Sequence, residues 1–297
     1  MICLLSGIAL LLMVTAASAR EPDLAFGAYQ RGLYVTAFRE ATLRLEKNAK
    51  DAAAMTLLGE LYNQGLGVAA DPVKAAEWYR LAAHLGDRQA LSALGLMSLD
   101  GRGMAKNETQ GRVWLEQAAA KGEPRAAYNV ALLLLSSGNP DDLLRAVELL
   151  RMAGEAEIAD AQHALGVLAL NGRGMNRDPA EAARWFERAA RNGNLAGTVE
   201  YAILLFNGEG VPANEAAAAR LFRRAAVRGN AIARNRLARL LVAGRGVPVN
   251  RVEAAAWHLL AAAQGLTDSY LDEALKDLTP EERQRAERLA ADRAGLS

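Results

Sequence analysis

The chain has 297 residues, of which 35 are basic and 34 acidic, so its formal net charge is +1. This balance produces no long-range field that would gather phosphate groups, and we therefore expect no nucleic-acid partner. The single cysteine, Cys3, lies in an uncharged N-terminal stretch, so the rest of the chain has no thiol for a disulfide or a cysteine metal site.

Residues 1–19 have the pattern of a secretory signal peptide. They carry no charged side chain, their apolar run extends from Ile8 to Val14, and residues 17–19 form a small-x-small cleavage site. No Lys or Arg precedes the apolar run, which leaves open the alternative that the segment is retained as an anchor. We expect cleavage, with a mature chain that begins near Arg20 and has no stable membrane insertion. The Ala, Arg and Leu bias is typical of bacteria, so the expected location is the periplasm.

Residues 20–53 precede a repeated region and are predicted to form a capping unit of two helices. Apolar side chains recur there at helical spacing, among them Phe26, Tyr29, Tyr34 and Phe38. In this respect the segment resembles a tetratricopeptide-type repeat. We expect it to cover the N-terminal end of the stack that follows.

Residues 54–268 contain six copies of one pattern at a step of about 36 residues. The complete copies have a Gly-x-Gly turn, which begins at Gly65, Gly101, Gly172, Gly208 and Gly244. A later column contains residue types that cap helix N-termini: Asp71, Asn107, Asp142, Asp178, Asn214 and Asn250. We therefore predict two helices in each copy, and the second starts at this cap.

The predicted second helix carries small and large apolar residues at spacings of three and four, which indicates one inward face. The large column includes the four tryptophans Trp78, Trp114, Trp185 and Trp257. We interpret them as core residues rather than as a stacking platform for sugars or bases. Capping boxes are predicted from the positions of Gln110, Glu181 and Glu253.

Two segments depart from the complete pattern. The third copy lacks the Gly-x-Gly and the tryptophan, and we predict the same helix pair with a different turn. Residues 269–297 are predicted to be C-terminal capping helices, the last of which starts at Thr279 with a capping-box glutamate at Glu282. No segment alternates at period two, so no sheet is expected.

The repeat resembles the Sel1-like repeat, a relative of the tetratricopeptide repeat, and its pattern is A-x-x-x-L-G-x-x-x-x-x-G-x-G-V-x-x-D-x-x-x-A-x-x-W-Y-x-x-A-A-x-x-G. The resemblance extends from residue 54 to about residue 268 and covers most of the chain. It implies an all-α fold, a right-handed α-solenoid of stacked helix-turn-helix units, and a role as an adaptor that binds other proteins.

The sequence offers no convergent set of catalytic residues. The three histidines, His84, His163 and His258, have no metal-ligand spacing, and His258 stands in a column of large packing residues. We expect no enzyme activity, no cofactor and no metal. The alternative of a weak cell-wall or β-lactam hydrolase would need a cysteine or a Ser-x-x-Lys nucleophile, and the mature chain has neither.

The resemblance implies that a partner binds the concave face, which first helices line. Three columns on these helices give the candidates: Tyr128, His163 and Asn235; Leu96, Leu132, Val167 and Ile203; and Leu99, Leu135, Leu170 and Phe206. The first helices of copies two to five are apolar nearly all round. Either neighbouring first helices cover one another, or they form an apolar groove with Tyr128 and His163 as polar contacts.

These observations favour a non-catalytic periplasmic scaffold that binds a protein partner, such as a membrane sensor or an envelope-assembly component. A narrower alternative is a negative regulator of a membrane sensor kinase, because the N-terminal unit followed by Sel1-like repeats is similar to the architecture of exopolysaccharide regulators.

Overall fold

A computed structural model describes residues 23–295, in which sixteen α-helices and no β-strand are found. The predicted absence of a sheet is thus confirmed for this range, whereas the predicted signal segment lies outside the described residues. The helices are α1 (Leu24–Gln30), α2 (Tyr34–Lys47), α3 (Ala52–Gln64), α4 (Pro72–His84), α5 (Arg88–Asp100), α6 (Glu108–Ala120), α7 (Pro124–Leu135), α8 (Pro140–Glu155), α9 (Ala159–Asn171), α10 (Pro179–Arg191), α11 (Leu195–Asn207), α12 (Glu215–Val227), α13 (Ala231–Ala243), α14 (Arg251–Ala262), α15 (Ser269–Leu275) and α16 (Pro280–Ala294).

The helices belong to two compact units that divide between Leu85 and Gly86, so α1–α4 form the first unit and α5–α16 the second. Within each unit, consecutive helices pack against one another, except that the last helix, α16, packs mainly against α14, and the architecture is that of an all-α repeat solenoid. None of the described helices combines the length and the apolar character that a membrane span requires.

Side-chain caps start the second helix of most repeats, as the Asp and Asn column predicts. The side-chain oxygen of each cap accepts a backbone N–H at 2.9 to 3.0 Å in α4, α6, α10, α12 and α14. The prediction for Asp142 is wrong. Helix α8 begins at Pro140, and Asn139 Oδ1 accepts from the backbone N–H of Asp141 at 3.0 Å. The proline ring has the backbone angle of a first helical residue, so it places the start three residues earlier.

The capping boxes are only partly as predicted. The box of Thr279 and Glu282 is present at the start of α16. At α6, α10 and α14 the cap accepts its backbone bond, but no reciprocal bond comes from Gln110, Glu181 or Glu253. In α10 and α14 the glutamate instead accepts from the indole N–H of the tryptophan one turn later, at 3.2 Å in both helices.

The two helices of a repeat approach each other at the small residue of the first helix. A large residue of the second helix lies against it, as Phe186 of α10 lies against Gly166 of α9. The largest fully buried side chains of the second helices include Tyr79, Leu115, Leu150, Phe186 and Phe222. They stand one position after the tryptophan column, which is therefore not the principal core column in the first five repeats. In the sixth repeat the fully buried residue is Trp257 itself.

The tryptophans lie on the adjacent side of the second helix. Trp257 and Trp185 are buried, whereas Trp78 and Trp114 are only partly buried. Trp185 lies close to Gly154 of the preceding second helix, α8. Because one residue turns a helix by about 100°, the tryptophan faces the previous repeat while Phe186 faces its own first helix. The tryptophans therefore contribute to packing between repeats.

The second glycine of the Gly-x-Gly turn determines how closely two repeats approach. Gly210 and Gly246 have φ of 71° and 68°, in the left-handed region that favours glycine. A Cβ at Gly210 would lie 2.6 Å from the backbone nitrogen of Ala180, and one at Gly246 would lie 2.8 Å from that of Ala216. The turn of one repeat thus rests directly on the first turn of the previous second helix.

Candidate functional site

In the second unit, the first helices α5, α7, α9, α11 and α13 each turn one stripe of side chains away from their own second helix. The stripe follows the spacing i, i+4, i+7 and i+11, as at Ala196, Glu200, Ile203 and Asn207 of α11, all of which are exposed or half-buried. We call the central two positions of the five stripes the first-helix face: Ala93 and Leu96, Asn129 and Leu132, Ala164 and Val167, Glu200 and Ile203, and Arg236 and Arg239.

The apolar part of the first-helix face is only partly covered by neighbouring helices. Leu96 is 38 % exposed and Leu132 is 42 % exposed, while Val167 and Ile203 are half-buried. Covering these exposed apolar side chains with an apolar partner is favourable by about 25 cal/mol per Å² of apolar surface removed from water. These side chains form a surface suited to an apolar partner.

Four other predicted site residues lie deeper, between helices. Leu99, Leu135, Leu170 and Phe206 are half-buried. Leu99 is close to Gly111 of α6, and Leu170 packs against the core around Phe186. The Phe206 ring lies 4.2 Å from the guanidinium carbon of Arg245. Leu99, Leu170 and Phe206 thus contribute to packing between elements, beside the first-helix face.

Tyr128 and His163 lie beside the face and are both half-buried. The His163 ring centroid is 5.7 Å from that of Phe186, and burial lowers the pKa of His163, although the nearby Asp160 opposes this shift. Burial raises the pKa of Tyr128, with a smaller contribution from Asp160. Both side chains are therefore favoured in their neutral forms, as hydrogen-bonding groups next to the apolar surface.

Asn235 has a different position from the other candidates. It is buried, and its Nδ2 donates to Oδ2 of Asp268 at 2.6 Å. Arg239 donates to both oxygens of the same carboxylate, at 2.6 and 2.9 Å, and holds the pKa of Asp268 far below its usual range. Asp268 also caps α15. The prediction that Asn235 faces a partner is thus not matched by its position, since it joins α13 to α15.

One column of the first-helix face, which includes Glu200 and Arg236, was not among the sequence-based candidates. Glu200 is half-buried, and burial raises the pKa of its carboxyl group. Arg236 is exposed. The sequence signal is the column two residues before the small residue, which reads Leu57, Ala93, Asn129, Ala164, Glu200 and Arg236. Charge appears there only in the last two repeats.

His258 lines a concavity of about 450 Å³ between α14, α15 and α16. As expected from its column, its side chain is mostly buried, and its Nε2 lies 2.8 Å from Oδ1 of Asp272. The two cations at the rim are already engaged: Lys276 pairs with Glu273, and Arg283 donates to the Leu278 carbonyl oxygen at 3.1 Å. Nδ1 of His258 is buried and has no hydrogen-bond partner among the described residues, whereas the other polar groups named here are engaged within the concavity.

Comparison with known families decides what these repeats are. The Sel1 repeat model matches residues 52–87, 88–123, 124–157, 159–194, 196–230 and 231–266. The chain belongs to the Sel1 repeat family. Proteins of this family are generally scaffolds for protein–protein interaction. No match was found among curated proteins.

Two solved Sel1 repeat structures are similar to this chain. A Sel1 repeat protein from Oxalobacter formigenes is 25% identical, with a TM-score of 0.68, and the match covers 81% of this chain and 98% of that one. The protective antigen c5321 of uropathogenic Escherichia coli is also 25% identical, with a TM-score of 0.57, over 92% of this chain and 68% of the antigen.

The described residues show where the metal-ligating side chains and histidines of this Sel1 repeat protein lie. Within residues 23–295, no group of three or more His, Cys, Asp or Glu side chains is placed to hold a metal ion. His84 engages the Arg80 carbonyl oxygen through Nδ1 at 2.7 Å, and His258 engages Asp272. Neither contact places a histidine beside a nucleophile. What the described residues do present is the first-helix face, with its exposed leucines and its three charged residues.

Proposed function

We propose that this chain is a non-catalytic scaffold that binds a protein partner on the first-helix face. The observation that carries the proposal is the exposure of Leu96 and Leu132 on helices whose other large apolar side chains are buried or half-buried. Tyr128 and His163 lie beside this surface as neutral hydrogen-bonding groups. Membership of the Sel1 repeat family supports the same role.

We further propose that the scaffold acts in the periplasm and that its partner is a membrane sensor or an envelope-assembly component. The support is the pattern of residues 1–19, which is typical of a cleaved signal peptide. Cell fractionation and N-terminal sequencing of the expressed full chain test the location. A periplasmic product that begins near Arg20 is expected, and an uncleaved cytoplasmic product would contradict it.

Partner binding is tested by crosslinking the tagged protein in cells and identifying captured proteins by mass spectrometry. Leu132→Glu should reduce capture of the specific partner about tenfold or more, because covering the exposed part of the leucine contributes about 1 kcal/mol and covering a carboxylate there instead adds a desolvation cost. Leu144→Glu is the matched control, since Leu144 is 57 % exposed on the second helix α8.

Capture of the same partner by the Leu144→Glu variant, together with its loss in the Leu132→Glu variant, would support the assignment. Equal capture by both variants would show that the first-helix face is not the binding surface. Circular dichroism of both variants checks that α7 and α8 remain folded.

A further inference from the structure

The first-helix face changes character along the repeats. On α5, α7 and α9 its central positions are apolar or neutral, whereas α11 carries Glu200 and α13 carries Arg236 and Arg239. The exposed leucines lie at the apolar end. A partner segment that crosses successive first helices would therefore meet an apolar surface first and charged groups afterwards.

The three charged groups differ in how well they are satisfied. Arg239 forms a two-point ion pair with Asp268, and Arg236 is exposed to water. Glu200 has lost part of its hydration through burial, and the described residues provide it with no ion-pair or hydrogen-bond partner. By contrast, Asp160 on α9 accepts from Nδ2 of Asn194 at 2.7 Å. A partly buried carboxylate without a partner carries a desolvation cost that a cationic donor would offset.

We propose that Glu200 determines the specificity of the first-helix face by selecting a partner segment that carries a Lys or Arg side chain next to apolar residues. This inference rests on the proposed function. Apolar side chains of the segment cover Leu132 and Val167, and its ammonium or guanidinium group reaches the Glu200 carboxylate. Neighbouring packed helices are about 8–10 Å apart. An extended chain advances about 3.3 Å per residue, so the basic residue lies about three positions from the apolar residue over α9.

Selection of randomised peptides displayed on phage tests the proposal with a defined probe. The mature protein and its Glu200→Gln, Glu200→Lys and Leu132→Glu variants serve as parallel targets. Peptides selected by the unaltered protein should combine apolar residues with Lys or Arg. The Lys and Arg preference should vanish with Glu200→Gln and change to Asp or Glu with Glu200→Lys, while the apolar preference persists. Leu132→Glu should weaken binding of all these peptides.

A selected peptide then provides a quantitative check by fluorescence anisotropy. Replacing its basic residue by Gln and replacing Glu200 by Gln should each weaken binding about tenfold, as expected for one charge-assisted contact. The two changes together should weaken binding no further than either one, because they remove the same contact.

The outcomes separate this inference from the proposed function. The role of Glu200 would be overturned, and the binding face would remain, if the selected peptides depend on Leu132 but show no preference for basic residues. The same holds if they prefer acidic residues, or if their preference is unchanged in the Glu200 variants. Absence of selected peptides, or binding indifferent to Leu132→Glu, would overturn both.

Discussion

The contact between Gly166 and Phe186 allows a sharp test of how the helix pairs are held. Gly166 lies in the middle of α9, where replacement by alanine would ordinarily stabilise the helix by about 0.5–1 kcal/mol. However, a Cβ at this position would lie 2.5 Å from Cδ1 of Phe186, which is fully buried. Real Cβ atoms do not approach ring carbons so closely, so α9 and α10 would have to separate.

Overpacking of this kind costs about 1–3 kcal/mol, which exceeds the gain in helix propensity. Gly166→Ala should therefore lower the free energy of unfolding by about 0.5–2 kcal/mol. The same substitution at Gly27 in α1 is the matched control, because the nearest atom to a Cβ there is the end of the Arg31 side chain at 3.5 Å. Gly27→Ala should be stabilising.

Urea denaturation followed by circular dichroism gives the overall change. Because repeat proteins can unfold in parts, hydrogen exchange of the α9 and α10 amides measures the change in the local stability of this helix pair. Adding Phe186→Leu should recover stability, since the double variant reproduces the buried pair Ala131 and Leu150 of the third repeat. The coupling between the two substitutions should be at least about 0.5 kcal/mol. A Gly166→Ala variant as stable as Gly27→Ala would refute the reasoning.

Three further predictions concern stability in urea. Arg234 is buried, and its Nε lies 3.1 Å from the Ala226 carbonyl oxygen. Arg234→Ala should therefore lower the free energy of unfolding by about 2 kcal/mol or more, whereas Arg234→Leu should recover most of this loss by filling the cavity. Equal losses in the two variants would contradict this. Gly210→Ala should cost more than about 1 kcal/mol, because both its positive φ and the Pro179 backbone oppose a Cβ, and an unchanged midpoint would disprove it. Asn192, Gln162 and Arg188 lower the pKa of Glu157 from 4.5 to about 2. The contribution of Glu157 to the free energy of unfolding is therefore complete above its unfolded pKa and is lost as the pH falls from about 4.5 towards 2. Glu157→Gln should reduce this pH dependence of stability.

Much of the fold could be predicted from the repeat, because an ambiguous pattern in one copy can be interpreted from the same columns in the other copies. The Asp and Asn caps were predictable since five copies place the same residue types before a helix. The third copy could not be corrected in this way. There a proline at Pro140 and the cap Asn139 start α8 earlier than Asp142, and alignment to the other copies concealed this local signal.

The direction of side chains was harder to predict than the position of helices. Spacings of three and four define a face only to within about one residue, or about 100°. The tryptophan column and the column after it were both compatible with the inward face. Packing resolved the choice, since Phe186 fills the space opposite Gly166 whereas Trp185 meets the previous repeat near Gly154. Periodicity carries no information on which of two neighbouring helices a side chain contacts.

The candidate site depends on positions that packing leaves unconstrained. Caps, turn glycines and the small and large columns are required wherever two repeats stack, so similarity among copies marks structure rather than recognition. Glu200 and Arg236 occur where the earlier copies have Ala93, Asn129 and Ala164, and the stack tolerates each of them because this column faces outwards. Asn235 also varies from its column, yet it is buried against Asp268. Variation between copies therefore indicates a recognition residue only when exposure accompanies it, and exposure required the structure.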